Sequence, residues 1–139
     1  MIKELCKDDE LLSQRCRKAT AADEALVQDL IDTLDSIEDG ACLAANQIGE
    51  AVALCVYKTD DEVHHVMFNP RLVMGLAAQR VEEGCLCHED TKKVTRYGKV
   101  KIAYDELKDG ELVAKKGDFV GWEAQMIQHM CDHCQGKLV

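Results

Sequence analysis

No apolar run in the 139-residue sequence approaches the ~20 residues that a bilayer-spanning helix needs, so no membrane span is expected. No run of Lys or Arg exceeds two residues, and the formal charge is -9. Such a chain offers phosphate backbones no electrostatic footprint, and nucleic acid is not an expected partner. The opening "MIKELCKDDELL" carries acids where a secretory signal has a basic stretch followed by an unbroken apolar one. The expected location is therefore the cytoplasm. Internal repeats, low-complexity tracts and linkers are also missing, so residues 1–139 read as a single domain.

What the sequence does have is the balance of a globular chain: 47% hydrophobic and 31% charged residues. A domain of this length buries roughly two-thirds of its unfolded surface and needs no staple to fold. Its eight cysteines, at 6, 16, 42, 55, 85, 87, 131 and 134, therefore read as buried thiols or metal ligands in a reducing compartment.

Thr20, Asp23 and Glu24 open an apolar series, Leu26, Val27, Leu30, Ile31, Leu34 and Ile37, that predicts an amphipathic helix over about 21–37. "AVALCVYK" and "VHHVMFNP" read as strands, the second ended by the only proline, Pro70. "LVMGLAAQRVEEG" and "KKVTRYGKVKIAYDE" add two longer strands, and the Asp-Gly of "KDGE" predicts a tight hairpin before "ELVAKKG". After Asp118 as N-cap, Phe119, Trp122, Met126, Ile127 and Met130 predict a final helix reaching Gly136. The expected class is α+β, with antiparallel strands around a C-terminal helix and a further helix near the N-terminus.

Three segments have residues suited to chemistry. In "QHMCDHCQG", His129 and His133 lie one turn apart on one helix face, the geometry for two imidazoles on one cation, although such spacing also suits a packed pair. In "EEGCLCHED", Cys85 offers a thiolate as a third ligand that leaves a fourth position open, or simply a small buried side chain. In "GACLAANQIGE", Gln47 has an amide able to donate to a developing oxyanion, or the segment is a close-packed connection of small residues.

Taken in order, Gly40-Ala41-Cys42-Leu43-Ala44-Ala45-Asn46-Gln47, Glu83-Gly84-Cys85-Leu86-Cys87 and Gln128-His129-Met130-Cys131-Asp132-His133 resemble the three motifs of the peptide deformylases, G-x-G-L-A-A-x-Q, E-G-C-L-S and Q-H-E-x-D-H. Asn69, Pro70 and Arg96 also fall where that family has counterparts. The resemblance implies Cys85, His129 and His133 as ligands of one divalent ion, usually ferrous iron, with zinc or nickel able to substitute. It implies Gln47 and the backbone N–H of Leu86 as the oxyanion hole, and Glu83 and Arg96 as an ion pair beside the ligand cysteine. Asp132, which matches a family position ~60° round the helix from His129, is expected to support a ligand rather than react. The implied substrate is an N-formyl-methionyl peptide.

The departures are specific. Met130 stands where the family has the glutamate that moves protons, and a thioether has none to exchange. His88 and Glu89 are the nearest chemical substitutes in sequence. Cys42 replaces a glycine and is expected to crowd the cleft, and Cys87 replaces a serine. Gln125 and Met126 fall at positions that line the family's methionine pocket, which Met126 suits and Gln125 does not. The family continues for a strand and often a helix beyond Gly136; here that edge is expected to be open or covered by a second copy of the chain. Three readings follow: a deformylase-like amide hydrolase of weakened or altered activity, an inactive module of the same fold that binds metal or peptide, and a structural zinc cage of Cys85, Cys87, Cys131 and Cys134.

Overall fold

A computed structural model of the chain describes residues 1–86 and 88–139, with only the backbone of 88 and 89. Its centre is an antiparallel five-stranded sheet in sequence order: β1 (Cys42–Ala44), β2 (Leu54–Lys58), β3 (His64–Cys85), β4 (His88–Lys108) and β5 (Glu111–Val120). Before it come α1 (Asp9–Leu12) and α2 (Glu24–Asp35), and after it α3 (Gly121–Cys134). This is the expected α+β arrangement, with α3 touching all five strands.

Side-chain alternation along the inner strands explains the layers. On β2, Leu54 and Val56 join Leu30, Leu34, Leu43 and Phe68 in a core beneath α2. Cys55 and Tyr57, on the other face, join Val100, Ile102, Ile127 and Met130 in a core beneath α3. The inner sheet is thus buried on both sides, which is why "AVALCVYK" reads as an almost unbroken apolar run. Each fully buried Leu adds about 1.5–3 kcal/mol relative to an exposed one.

The predicted α2 starts slightly late. Thr20 and Asp23 close a reciprocal capping box around a single 3-10 turn, Ala21–Asp23, and regular helix follows. The tight hairpin forms as its sequence requires: Lys108 pairs with Glu111, and Asp109 and Gly110 both take positive φ, 52° and 79°.

Two boundaries are corrected. Pro70 does not end a strand: β3 runs through it, and the register slips between Phe68 and Arg71, where Asn69 has φ 55° and the missing Pro N–H falls in a bulge. Nor does Asp118 cap α3. It pairs with Lys101 inside β5, and the helix begins three residues later after Val120, with the chain turning at Gly121 (φ 62°).

The other end of α3 stops as expected. Gly136 takes φ 78°, its N–H donates to His133 O and the Lys137 N–H donates to Asp132 O, a Schellman closure. The N-terminal segment crosses this point, with the Cys16 N–H donating to Cys134 O at 3.0 Å. A Cβ on Gly136 would lie 2.6 Å from Ser13 O and from Gln14 C, which are backbone atoms with no rotamer to yield. Gly136→Ala is therefore expected to lower the unfolding free energy by roughly 2–4 kcal/mol in urea titration. An unchanged midpoint would contradict this packing.

Candidate metal centre and its cavity

The histidines of α3 lie one turn apart on its inward face, with ring centroids 4.8 Å apart. Their Nε2 atoms approach to 3.1 Å, and Cys85 Sγ, at the end of β3, lies 3.4 Å from His133 Nε2. All three donor atoms fall within 4.8 Å of one another. Bonds of ~2.1 Å to nitrogen and ~2.3 Å to sulfur at tetrahedral angles would separate the donors by roughly 3.4–3.6 Å. Two sides of the observed triangle, 3.1 and 3.4 Å, are close to that size, and the third lies within 4.8 Å. Two imidazole nitrogens directed at each other beside a thiol need a shared proton or cation between them, and this soft, mixed set fits one divalent metal ion.

One carboxylate and one guanidinium orient the set. Glu83 Oε1 accepts from His129 Nδ1 at 2.9 Å, leaving Nε2 to face Cys85 and His133. Arg96 donates through Nε and Nη2 to Glu83, both at 2.8 Å, and through Nη1 to Asp132 at 2.7 Å. Glu83 and Arg96 are both buried. Burial would raise the Glu83 pKa, but the hydrogen bonds from His129 and Arg96 outweigh it and hold the carboxyl down at about 2. For His129, burial alone would lower the pKa, and the bonds to Cys85 and Glu83 instead push it up to about 9. His133 moves the other way: burial lowers it, and its Nδ1 has no hydrogen-bonding partner among the described residues.

A cavity of about 440 Å³ opens beside the triad. Of the residues singled out in the sequence, Ala41, Cys42, Gln47, Glu83, Cys85, Leu86, Gln125, Met126 and His129 line it. Gln47 is 1% exposed. Its Oε1 accepts from the Ala44 N–H at 2.9 Å, which turns Nε2 toward Cys85 Sγ at 3.5 Å. Asn46 ties the same turn to α3, donating to His133 O at 3.0 Å. Burial lifts the thiol of Cys42 to about 12, so it faces the cavity as a neutral group.

Met130 does not line the cavity. It is 0% exposed, packed with Tyr57, Met67, Val100 and Ile127. Cys131 lies in the same apolar cluster and Cys134 is also buried, while Cys85 sits with the histidines. The zinc-cage reading is corrected on that account, because Cys131 faces the core and not the ligand face of α3; Cys87 lies outside the described residues. So do the side chains of His88 and Glu89, the sequence's nearest substitutes for the glutamate. Sequence reasoning missed Asp39, Glu82 and Trp122 as cavity residues. Trp122 carried a signal, since positions 122, 125, 126 and 129 share a helix face; Asp39 and Glu82 carried none.

The family model described as Polypeptide deformylase matches residues 2–139. The chain is similar to a peptide deformylase of Clostridium beijerinckii, 34% identical over 140 residues and all of both chains. It is 37% identical to a peptide deformylase 2 of Streptomyces coelicolor, over 94% of this chain and 75% of that one. A crystal structure of a peptide deformylase from Legionella pneumophila superposes with a TM-score of 0.85 at 29% identity, covering 99% of this chain and 83% of that chain.

Glu83→Gln tests the supporting network in two ways. Loss of the charge behind His129 should weaken metal affinity about 10–100-fold in chelator competition. In metal-free protein, a carboxyl held below its ordinary value of 4.5 contributes stability that is full above that pH and lost as pH falls toward 2. The stability gap between wild type and variant is expected to close over that window, and a gap constant from pH 7 to 3 would contradict the assignment.

Proposed function

The chain belongs to the polypeptide deformylase family, and from that premise we propose that it hydrolyses N-formyl peptides at the Cys85, His129, His133 centre. The observation that carries this reading is that Cys85 and His129 line one cavity together with Gln47 and Leu86, while the buried His133 completes their donor set. A divalent ion held by the triad, with ferrous iron as our choice and zinc or nickel able to substitute, would polarise the formyl carbonyl and make water nucleophilic near neutral pH. Gln47 Nε2, its direction set by Ala44, and the Leu86 N–H would donate to the developing oxyanion. Glu83, Arg96 and Asp132 position the ligands. Met126, buried on the cavity wall with Ala41, Cys42 and Gln125 around it, would receive the methionine side chain.

Met130 sets the expected rate. A thioether cannot take a proton from water or return one to the leaving amine, and losing a positioned acid/base group costs about 10²–10⁴-fold. We therefore read the protein as a slow deformylase. Its burial among apolar side chains favours one second reading, a deformylase fold that holds metal and peptide without turnover. Membership of the family supports a cytoplasmic location, where formylated chains arise.

Ferrous protein handled without oxygen should release formate from formyl-Met-Ala-Ser, and Cys85→Ala should abolish it. Absence of formate from the wild type would leave only the second reading. Met130→Glu should then decide what was lost: a gain of about 10²–10⁴-fold in kcat identifies the proton carrier. No gain in a variant that still unfolds cooperatively would show that the cavity itself has diverged.

A further inference from the structure

The two imidazoles of the triad differ at the nitrogen that faces away from the other donors. His129 Nδ1 meets Glu83 Oε1 at 2.9 Å, whereas His133 Nδ1 is buried and meets no hydrogen-bonding partner among the described residues. A neutral imidazole that offers Nε2 to a cation carries its proton on Nδ1, so metal binding gives His133 a buried N–H donor to satisfy. Buried donors left without an acceptor are rare and costly in folded proteins.

A matching acceptor belongs to the residue already bound to His133. Asn46 is 0% exposed, and its Nδ2 donates to His133 O at 3.0 Å. That bond fixes the orientation of the amide, because only its nitrogen can face a carbonyl oxygen. Asn46 Oδ1 is itself buried and without a partner among the described residues. One orphaned acceptor and one orphaned donor thus sit on two side chains whose residues are joined by a hydrogen bond. The turn that carries Asn46, Ala45–Ile48, also carries Gln47.

We propose that Asn46 is a positioning residue of the metal centre: its Oδ1 accepts the Nδ1–H of metal-bound His133, directly or through one enclosed water, and fixes the tautomer that presents Nε2. The inference rests on the metal-centre reading of the triad and not on turnover. Glu83 does the same for His129 with a charged group. Asn46 does it with a neutral one, which places the proton without adding a second carboxylate beside the thiolate. A single turn of backbone then sets both a ligand ring and the amide of Gln47.

Zinc is the probe, since it binds without redox chemistry. In zinc-loaded wild type, proton–nitrogen NMR should show two imidazole Nδ1–H signals protected from solvent exchange, one from each histidine, with a nuclear Overhauser effect from the His133 signal to the Asn46 side-chain amide. Asn46→Leu removes donor and acceptor together. It should erase the His133 signal, leave that of His129 and weaken zinc binding about 10–100-fold in chelator competition. Asn46→Asp gives up the donor to His133 O but keeps the acceptor, and should hold zinc within about threefold of wild type. Equal weakening by the two variants would mean that the amide serves only the backbone bond, and overturns the proposal. So does a wild-type His133 Nδ1–H that exchanges freely, a result that needs no variant to fold. Zinc held equally by wild type and Asn46→Leu overturns the role of Asn46 alone, whereas failure of the wild type to bind zinc overturns the metal-centre reading beneath it.

Discussion

Arg96 is the residue on which the site depends. It projects from β4 into a buried position where a guanidinium is tolerated only if its donors are met. Glu83 on β3 takes two of them and Asp132 on α3 a third. Meeting that requirement fixes three elements relative to one another. Glu83 then has one side committed to Arg96 and turns its Oε1 to His129, so the same ion pair that closes β3 onto β4 also sets the ring of a metal ligand. Cys85 lies two residues further along β3, and the strand's attachment delivers its sulfur to the histidines.

The sheet supplies the rigidity behind that arrangement. Its inner strands are covered by α2 on one face and α3 on the other, so the short β1 and the turn bearing Gln47 are held between two packed layers. Gln47 gains its direction from the Ala44 N–H, and Asn46 fastens the turn to the backbone of His133. The polar groups around the triad thus act on one another through backbone held in the core, the condition under which a preorganised donor is worth most. Met130 belongs to the core side of α3 in energetic terms: it fills apolar volume one residue from a ligand.

Much of the architecture was legible because it rests on local periodicity. The α2 stripe, the Asp-Gly turn and the Gly136 stop each follow from one side chain or one φ angle. The strand boundary at Pro70 was not legible, since a bulge absorbs a missing N–H only if the partner strand slips its register to match. The start of α3 was misplaced for a related reason: Asp118 is a good cap by type, but β4 recruits it into the sheet. At the site, His129 and His133 could be paired by spacing alone. Cys85 could be joined to them only by the family resemblance, and Asp39 and Glu82 not at all, because cavity lining is a property of the assembled surface.

By itself the sequence determined the chemical inventory: two imidazoles one turn apart, a thiol and an amide in ordered motifs, and a thioether where the family has a carboxylate. Those are matters of covalent identity and short-range spacing, which no folding can alter. Tertiary structure decided which of the described thiols meets the histidines, which carboxylate orients them and which acids reach the mouth of the cavity. Those outcomes depend on contacts between residues tens of positions apart, and only the packing of β3, β4 and α3 around one buried guanidinium brings them together.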